Sequence, residues 1–522
     1  MWISRWGWAG LAFATVSSAG ASAQDAPDSH RAVEIPLGGT LHVPVRPPGR
    51  PDAVTAAHAG REGDRRRERR SAPAARPEAA RSPRAVPAQV APTPLDRGVA
   101  STRAHVEATT VIPRIALGGV PHVVAEPSLG AFGRDGMLVT GNSFGSVSFG
   151  GRAYEPFDLD RAFPGAVGTR VVDPVVLSKP GLDLVVAYVQ LRTSDERDAG
   201  AALLAATGAE LTSRTLRFYR LSPELFGATG WVDYPDLAFS DGFLHWTALL
   251  VEGSSVTSPV WARFPIEALR SGARTLVADW TVPVDRASVR LAQGCGDEMF
   301  AAAHESDAAL RVLRWPDGGG PTSHVVDVDP WSGTSSRWTS VAPASGGRDW
   351  LHRLGEFGSA DITAGWCRAG PTGTEIGFAW NVAADDEHPQ PHVRAVVLDS
   401  TLARKRQPHL WSRDVAFAYP AAQVDGRGRL GFAVAFGGGA HAPGVAVGTE
   451  VEPTSSATPP WELHIAAEGT HGPASEHWGD FLVVRALATD PAAARFATVA
   501  WTLRGGESDE NVEVSVAPFT LR

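Results

Sequence analysis

Seven times between residue 125 and the C-terminus, the chain repeats one short phrase. A leading aromatic or acidic residue is followed by Pro or a small residue, and then by a strand of alternating apolar residues. The copies are AEPSLGAFGRDGMLVTG (125–141), VVDPVVLSKPGLDLVVAYV (171–189), VDYPDLAFSDGFLHWTAL (232–249), ASVRLAQGCGDEMFAAAH (287–304), RWTSVAPASGGRDWLHRLG (337–355), FAYPAAQVDGRGRLGFAVAF (417–436) and HWGDFLVVRALATDPAAARFATVAW (477–501). Most read as strand, Gly/Asp turn, strand. A hairpin that returns about every 45 to 80 residues marks a radial repeat, because one such unit cannot bury both faces alone. The expected fold is all-β, a seven-bladed β-propeller over 111–522, with six blades as the alternative if the 287–304 copy is misread.

The rest of the chain reads differently. Residues 1–23 carry Arg5, a short apolar core and Ala21-Ser22-Ala23, the pattern of a secretory signal peptide. Residues 24–110 are rich in Pro, Ala and Arg and poor in aromatics, as in REGDRRRERR (61–70). Such a segment has little apolar surface to offset ordering entropy, so a disordered spacer is expected, with a weak strand at 32–45. Fourteen of the 17 Trp fall after residue 110, where the folded body is placed. Helical periodicity there is scarce, with short helices expected only within 199–213 and 265–272.

Charge and cysteine usage narrow the partners. The spacer balances at +4 and residues 111–522 at −14. An acidic body argues against nucleic acid, which needs clustered Lys and Arg. No run reaches the roughly 20 apolar residues of a membrane helix. Cys295 and Cys367 either pair across neighbouring blades or stay as buried thiols. The expectation is a secreted or periplasmic monomer.

Residues at the heads of the phrases should converge at one end of the central channel. They are Glu126, Asp173, Tyr234 with Asp236, Ser288 with Arg290, Arg337 with Trp338, Tyr419, and His477 with Trp478 and Asp480. Carboxylates, rings and guanidinium groups in one pocket suit a sugar. Aromatic faces stack on pyranose C–H groups, Arg pairs with a uronate, and two carboxylates divide acid and base roles. Asp173, Asp236, Glu126 and Asp480 are the candidate catalytic residues. Tyr234, Arg337, Trp338, Tyr419, His477 and Trp478 are the candidate substrate contacts. The stretch ADDEHPQPHVR (384–394) gathers Asp385, Asp386, Glu387, His388 and His392, which could hold a divalent cation but reads more simply as a solvated loop before a strand. No metal or other cofactor is expected.

The hairpin GNSFGSVSFGGRAYEPF (141–157) resembles the S-x-D-x-G-x-x-W Asp-box of sialidase-like propellers. Gly150, Gly151 and Tyr154 match its turn and aromatic, while Phe149 stands where the Asp belongs. IPRIAL (112–117) places Arg114 in a setting similar to the F-R-I-P motif of sialidases, without its Phe or following Pro. The resemblance implies the propeller fold over 111–522 and leaves out the Arg triad. The function expected is that of a secreted carbohydrate-active propeller, a glycoside hydrolase or polysaccharide lyase working in the axial pocket. The alternative is a non-catalytic glycan-binding or adhesive propeller.

Overall fold

The computed structural model of the chain describes residues 30–44, 93, 95–96, 104–119, 121–163, 169–193, 198–252, 255–284, 288–331, 338–340, 348–352, 354, 361–370, 373–451, 460–479, 482–487 and 494–521. The signal-peptide stretch, most of the Arg-rich segment, Arg337 and Asp480 lie outside them. The fold is all-β. Its sheets divide into seven antiparallel meanders, each four strands deep, among the described residues. The first strands of the meanders are Ser128–Phe132, Thr169–Lys179, Trp231–Phe239, Arg290–Leu291, Ile362–Gly370, Ala416–Val424 and Val484–Ala486. Each of them contacts the next in this order, and the last contacts the first. The sheets therefore stand side by side around a closed inner ring, a propeller-like arrangement.

Six of the seven phrases coincide with the first two strands of a meander. The fifth does not. Trp338 and Trp350 within 337–355 are core residues, and the fifth hairpin runs from Ile362–Gly370 to Gly373–Val382. Turn chemistry closes the hairpins. At 425–429, for instance, Asp425 Oδ1 accepts the N–H groups of Arg427 (3.0 Å) and Arg429 (2.9 Å), and Gly428 supplies a φ of 80°.

Strands near the axis are buried on both faces, so their alternation is of size rather than polarity. Leu430–Gly438 is buried throughout. A Cβ at Gly431 would stand 2.6 Å from the Phe496 ring of the next meander, so only glycine allows that approach. Trp rings fill the wider seams. Trp261 and Trp315 meet edge-on at 4.9 Å between the third and fourth meanders, and Tyr188 stacks on Trp246 at 6.0 Å between the second and third. Aromatic pairs of this kind contribute about 0.5–1.5 kcal/mol each beyond their buried area.

The spacer expected over 24–110 is not all spacer. Arg31–His42 forms a strand that pairs with Thr275–Thr281 through its first half and Thr215–Leu221 through its second. It joins the outer edges of two neighbouring meanders, burying Ile35 in the core between them and Leu41 in the core between the first and second meanders. This caps two sheet edges that would otherwise present unpaired backbone groups. Ala104–Val106 adds the outermost strand to the last meander, pairing with Val512–Leu521. The ring is thereby closed by strands from both ends of the described chain.

Cys295 and Cys367 form a disulfide across the seam between the fourth and fifth meanders, 72 residues apart in sequence. A loop of that size removes enough unfolded-state entropy to contribute about 4 kcal/mol in the chain-entropy account. The double variant Cys295→Ser/Cys367→Ser should therefore unfold at lower denaturant, with a loss of about 2–4 kcal/mol. Urea titrations of oxidised, reduced and variant protein check this. The expected result is that reduction of the wild type reproduces the variant.

Candidate functional site: the mouth of the inner ring

Four phrase heads share one unusual backbone state. Glu126, Asp173, Tyr234 and Tyr419 each precede a proline, and each has positive φ, at 42°, 49°, 51° and 54°. Left-handed backbone is costly for a residue with a Cβ, and a following proline restricts it further. Register explains the purpose. Asp173-Pro174, Tyr234-Pro235 and Tyr419-Pro420 are each an extra pair opposite a single residue on the second strand, a bulge in the same place each time. A bulge re-aims the side chains beside it. Here it takes Asp173, Tyr234 and Tyr419 out of the ladder with the second strand.

Neighbouring meanders hold the heads in place. Asn142 Oδ1 accepts the N–H of Asp173 at 2.8 Å, while its Nδ2 donates to Glu126 Oε2 at 3.1 Å and to the Val124 carbonyl at 3.0 Å. Asn381 Oδ1 accepts the N–H of Tyr419 at 2.7 Å. Each Asn sits at the end of one meander's second strand and fixes the head of the next meander. The seventh head reaches the first, since a Cβ on Gly479 would lie 3.5 Å from Glu126 Cγ.

Below the heads the axis is closed by ionic bonds. Asp236 Oδ1 pairs with Arg290 at 3.0 Å and accepts the N–H of Leu237 at 2.9 Å. Its Oδ2 accepts the N–H of Leu291 at 2.8 Å. Arg290 also donates to the Ile362 carbonyl and stands 5.9 Å from the Tyr234 ring. Burial works against its charge, and Asp236 and Tyr234 more than offset this, so its guanidinium is held protonated more firmly than usual. Arg485, from the seventh meander, donates twice to the Val176 carbonyl of the second, at 2.9 and 2.7 Å. Burial lowers its pKa to about 10, with Asp236 opposing the shift. The cavity among Val175, Asp236, Arg290, Thr363, Ala421 and Arg485 has room of about 30 Å³. That admits a water and not a sugar ring.

These contacts revise several expectations. Asp236 is a brace between the third and fourth meanders, because both its oxygens are spent on amides and Arg290. Trp338, Tyr419 and Trp478 are not stacking platforms. All three rings are buried in one core cluster, where Trp478 stacks on Trp501 at 4.3 Å and meets Trp350 edge-on at 5.9 Å. His477 is buried beside them, 3% exposed. Glu126 is likewise 3% exposed, whereas Asp173 and Tyr234 are half-buried, Tyr234 packing against Trp231, Leu249 and Val251. Ser288 donates to Asp361 at 2.8 Å, linking the fourth and fifth meanders. Arg114, in the sialidase-like setting, donates to the backbone carbonyls of Asp509 and Glu510 at 3.0 Å each, so it ties the N-terminal segment to the last meander.

One acid escaped the sequence reading. Asp160, in FDLDRAF (157–163), accepts the N–H of Val171 at 2.7 Å, two residues before Asp173. Its surface is partly exposed, but dense packing pushes its carboxyl up to about 7, and the neighbouring charge of Asp158 adds to the rise. A carboxyl poised near neutrality can hold a proton for an acid role.

No family model matches the chain, and no curated protein matches it. Among solved structures, it is similar to a protein of unknown function from Dyadobacter fermentans, 11% identical over 80% of this chain and 99% of that one, with a TM-score of 0.40. It is similar to an α-L-arabinofuranosidase from Fusarium graminearum at 10% identity, over 79% of this chain and 97% of that one, TM-score 0.36. It is also similar to a lectin from Aleuria aurantia at 9% identity, over 66% and 96%, TM-score 0.35.

The raised Asp160 has a linkage consequence. Between the ordinary carboxylate value and about 7 the folded chain holds this proton and the unfolded chain does not, so stability should fall as pH rises through that window. Asp160→Asn keeps an oxygen for the Val171 N–H and removes the titration. Urea midpoints measured from pH 4 to 7 should decline less steeply for the variant than for the wild type.

Proposed function

We propose that the chain is an exported seven-bladed β-propeller that binds glycans at the mouth of its inner ring. The observation that carries this reading is the recurrence of left-handed Xaa-Pro heads in four meanders, three of them set in the same bulge of the first strand. Strained backbone of this kind gathers where side chains must be held for a ligand. The narrow axial cavity supports a ligand at the entrance rather than in the channel. Asp173 and Tyr234 are the contacts proposed for the sugar, with Tyr234 supplying an aromatic face and Asn142 holding Asp173 in place. The short apolar N-terminus and the disulfide both suit an oxidising compartment outside the cell.

A second reading rests on Asp160. Burial lifts its carboxyl to about 7, and it holds the N–H of Val171 on the strand that carries Asp173, so it can keep a proton for the acid step of glycoside hydrolysis. Asp160 is then the general acid and Asp173 the base or nucleophile, in place of the braced Asp236.

Incubation with a panel of neutral and acidic polysaccharides separates the readings. Binding without release of reducing ends or of unsaturated uronates is the result expected of a glycan binder. Product that disappears in Asp160→Asn supports hydrolysis. For either reading, Asp173→Ala and Tyr234→Ala should weaken saccharide affinity at least about tenfold. No binding to any saccharide, together with capture of a protein partner that ignores these substitutions, overturns both in favour of an adhesive propeller.

A further inference from the structure

The loop of residues 383–391, between the second and third strands of the fifth meander, brings three imidazoles together. His388 stands in the loop, His392 opens strand His392–Asp399, and His409 lies on the short strand His409–Leu410 that pairs with it. One nitrogen from each lies within 4.8 Å of the other two. His388 and His392 stack at 4.2 Å between centroids, and Trp411 closes over His388 edge-on at 5.2 Å. We infer that His388, His392 and His409 bind a single transition-metal cation of the zinc class.

Three features support this. His392 is fully buried, and neither of its ring nitrogens has a hydrogen-bond partner among the described residues. A buried imidazole with both nitrogens unsatisfied calls for an explanation, and a bound ion supplies one. His388 Nε2 and His409 Nδ1 face each other at 3.4 Å. Two nitrogens held by one tetrahedral zinc at about 2.0–2.1 Å stand about 3.3–3.4 Å apart, so this pair already has the spacing of two ligands. Finally, His388 Nδ1 meets Asp385 Oδ1 at 2.9 Å. A carboxylate on the far nitrogen places the proton there and leaves Nε2 with its lone pair toward the ion.

The supporting shell is built. Asp385 Oδ1 also accepts the N–H groups of Glu387 at 2.9 Å and His388 at 2.7 Å. The nearby Arg394 is engaged by Asp385 at 3.4 Å and by the Pro330 carbonyl at 2.7 Å. Three imidazoles without a thiolate suit Zn²⁺, Cu²⁺ or Ni²⁺, and do not suit the oxygen-seeking Ca²⁺ or Mg²⁺. A three-histidine set leaves the fourth position to water or to a ligand atom. The expectation of a plain solvated loop fails because His392 lies inside the sheet rather than on it. The cluster also sits beside the mouth, since His392 pairs with Val382, next to the Asn381 that holds the Tyr419 head.

The test uses the full chain, stripped with chelator and titrated with Zn²⁺ alone. Elemental analysis after gel filtration should find one zinc per chain, and added Zn²⁺ should raise the melting temperature. His409→Ala, at the half-exposed ligand, and Asp385→Asn, at the supporting carboxylate, should each weaken Zn²⁺ affinity about 10- to 100-fold and abolish the thermal shift. Near-ultraviolet circular dichroism confirms that both variants are folded. A wild-type chain that retains no zinc overturns the inference. So does zinc binding that is equally tight in folded His409→Ala and Asp385→Asn, which would place the ion elsewhere on the chain.

Discussion

The structure depends on a strained dipeptide used four times. A left-handed residue before proline is a state few side chains adopt unaided, at about 1–3 kcal/mol each. Here it is over-determined from two sides. The bulge gives the extra pair somewhere to go, and at Asp173 and Tyr419 an asparagine from the preceding meander takes the head's N–H. Local conformation and ring assembly are therefore one constraint. At these two heads the turn is held by a docked neighbour, whereas the N–H of Tyr234 is taken by Asp233 of its own strand at 2.9 Å.

Ring closure then decides where a ligand can go. Asp236, Arg290 and Arg485 tie the second, third, fourth, fifth and seventh meanders together beneath the heads. Two guanidiniums and one carboxylate in a narrow, buried space are tolerated only because each is met by backbone carbonyls, amides or an opposite charge. Among the phrase heads, Asp173 and Tyr234 are left half-buried above that seal.

Much of this was legible in the chain. The Xaa-Pro phrase located the inner strands and the heads, because its period follows from radial packing. The fifth copy misled, since Trp and Gly/Asp pairs in 337–355 imitate a hairpin while the fifth inner strand begins at Ile362. The roles of the heads were less readable. Trp478 and Tyr419 look like sugar platforms in sequence, and only the packing of Trp501 and Trp350 shows them to be core. Asp236 lies two residues beyond Tyr234 and turns inward, which a phrase cannot show. Asp160 owes its character to burial, and His409 joins His392 only through strand pairing. Both are long-range effects without a local signature.

The central claim is that the heads are held in a strained state for the sake of the mouth. Its most direct measurement compares Asp173→Gly with Asp173→Ala. Both remove the carboxylate, and only glycine relieves the left-handed backbone. The account predicts that the Gly variant is the more stable of the two by about 1–2 kcal/mol in urea denaturation, with saccharide binding weakened alike in both. An Ala variant as stable as the Gly variant would contradict it.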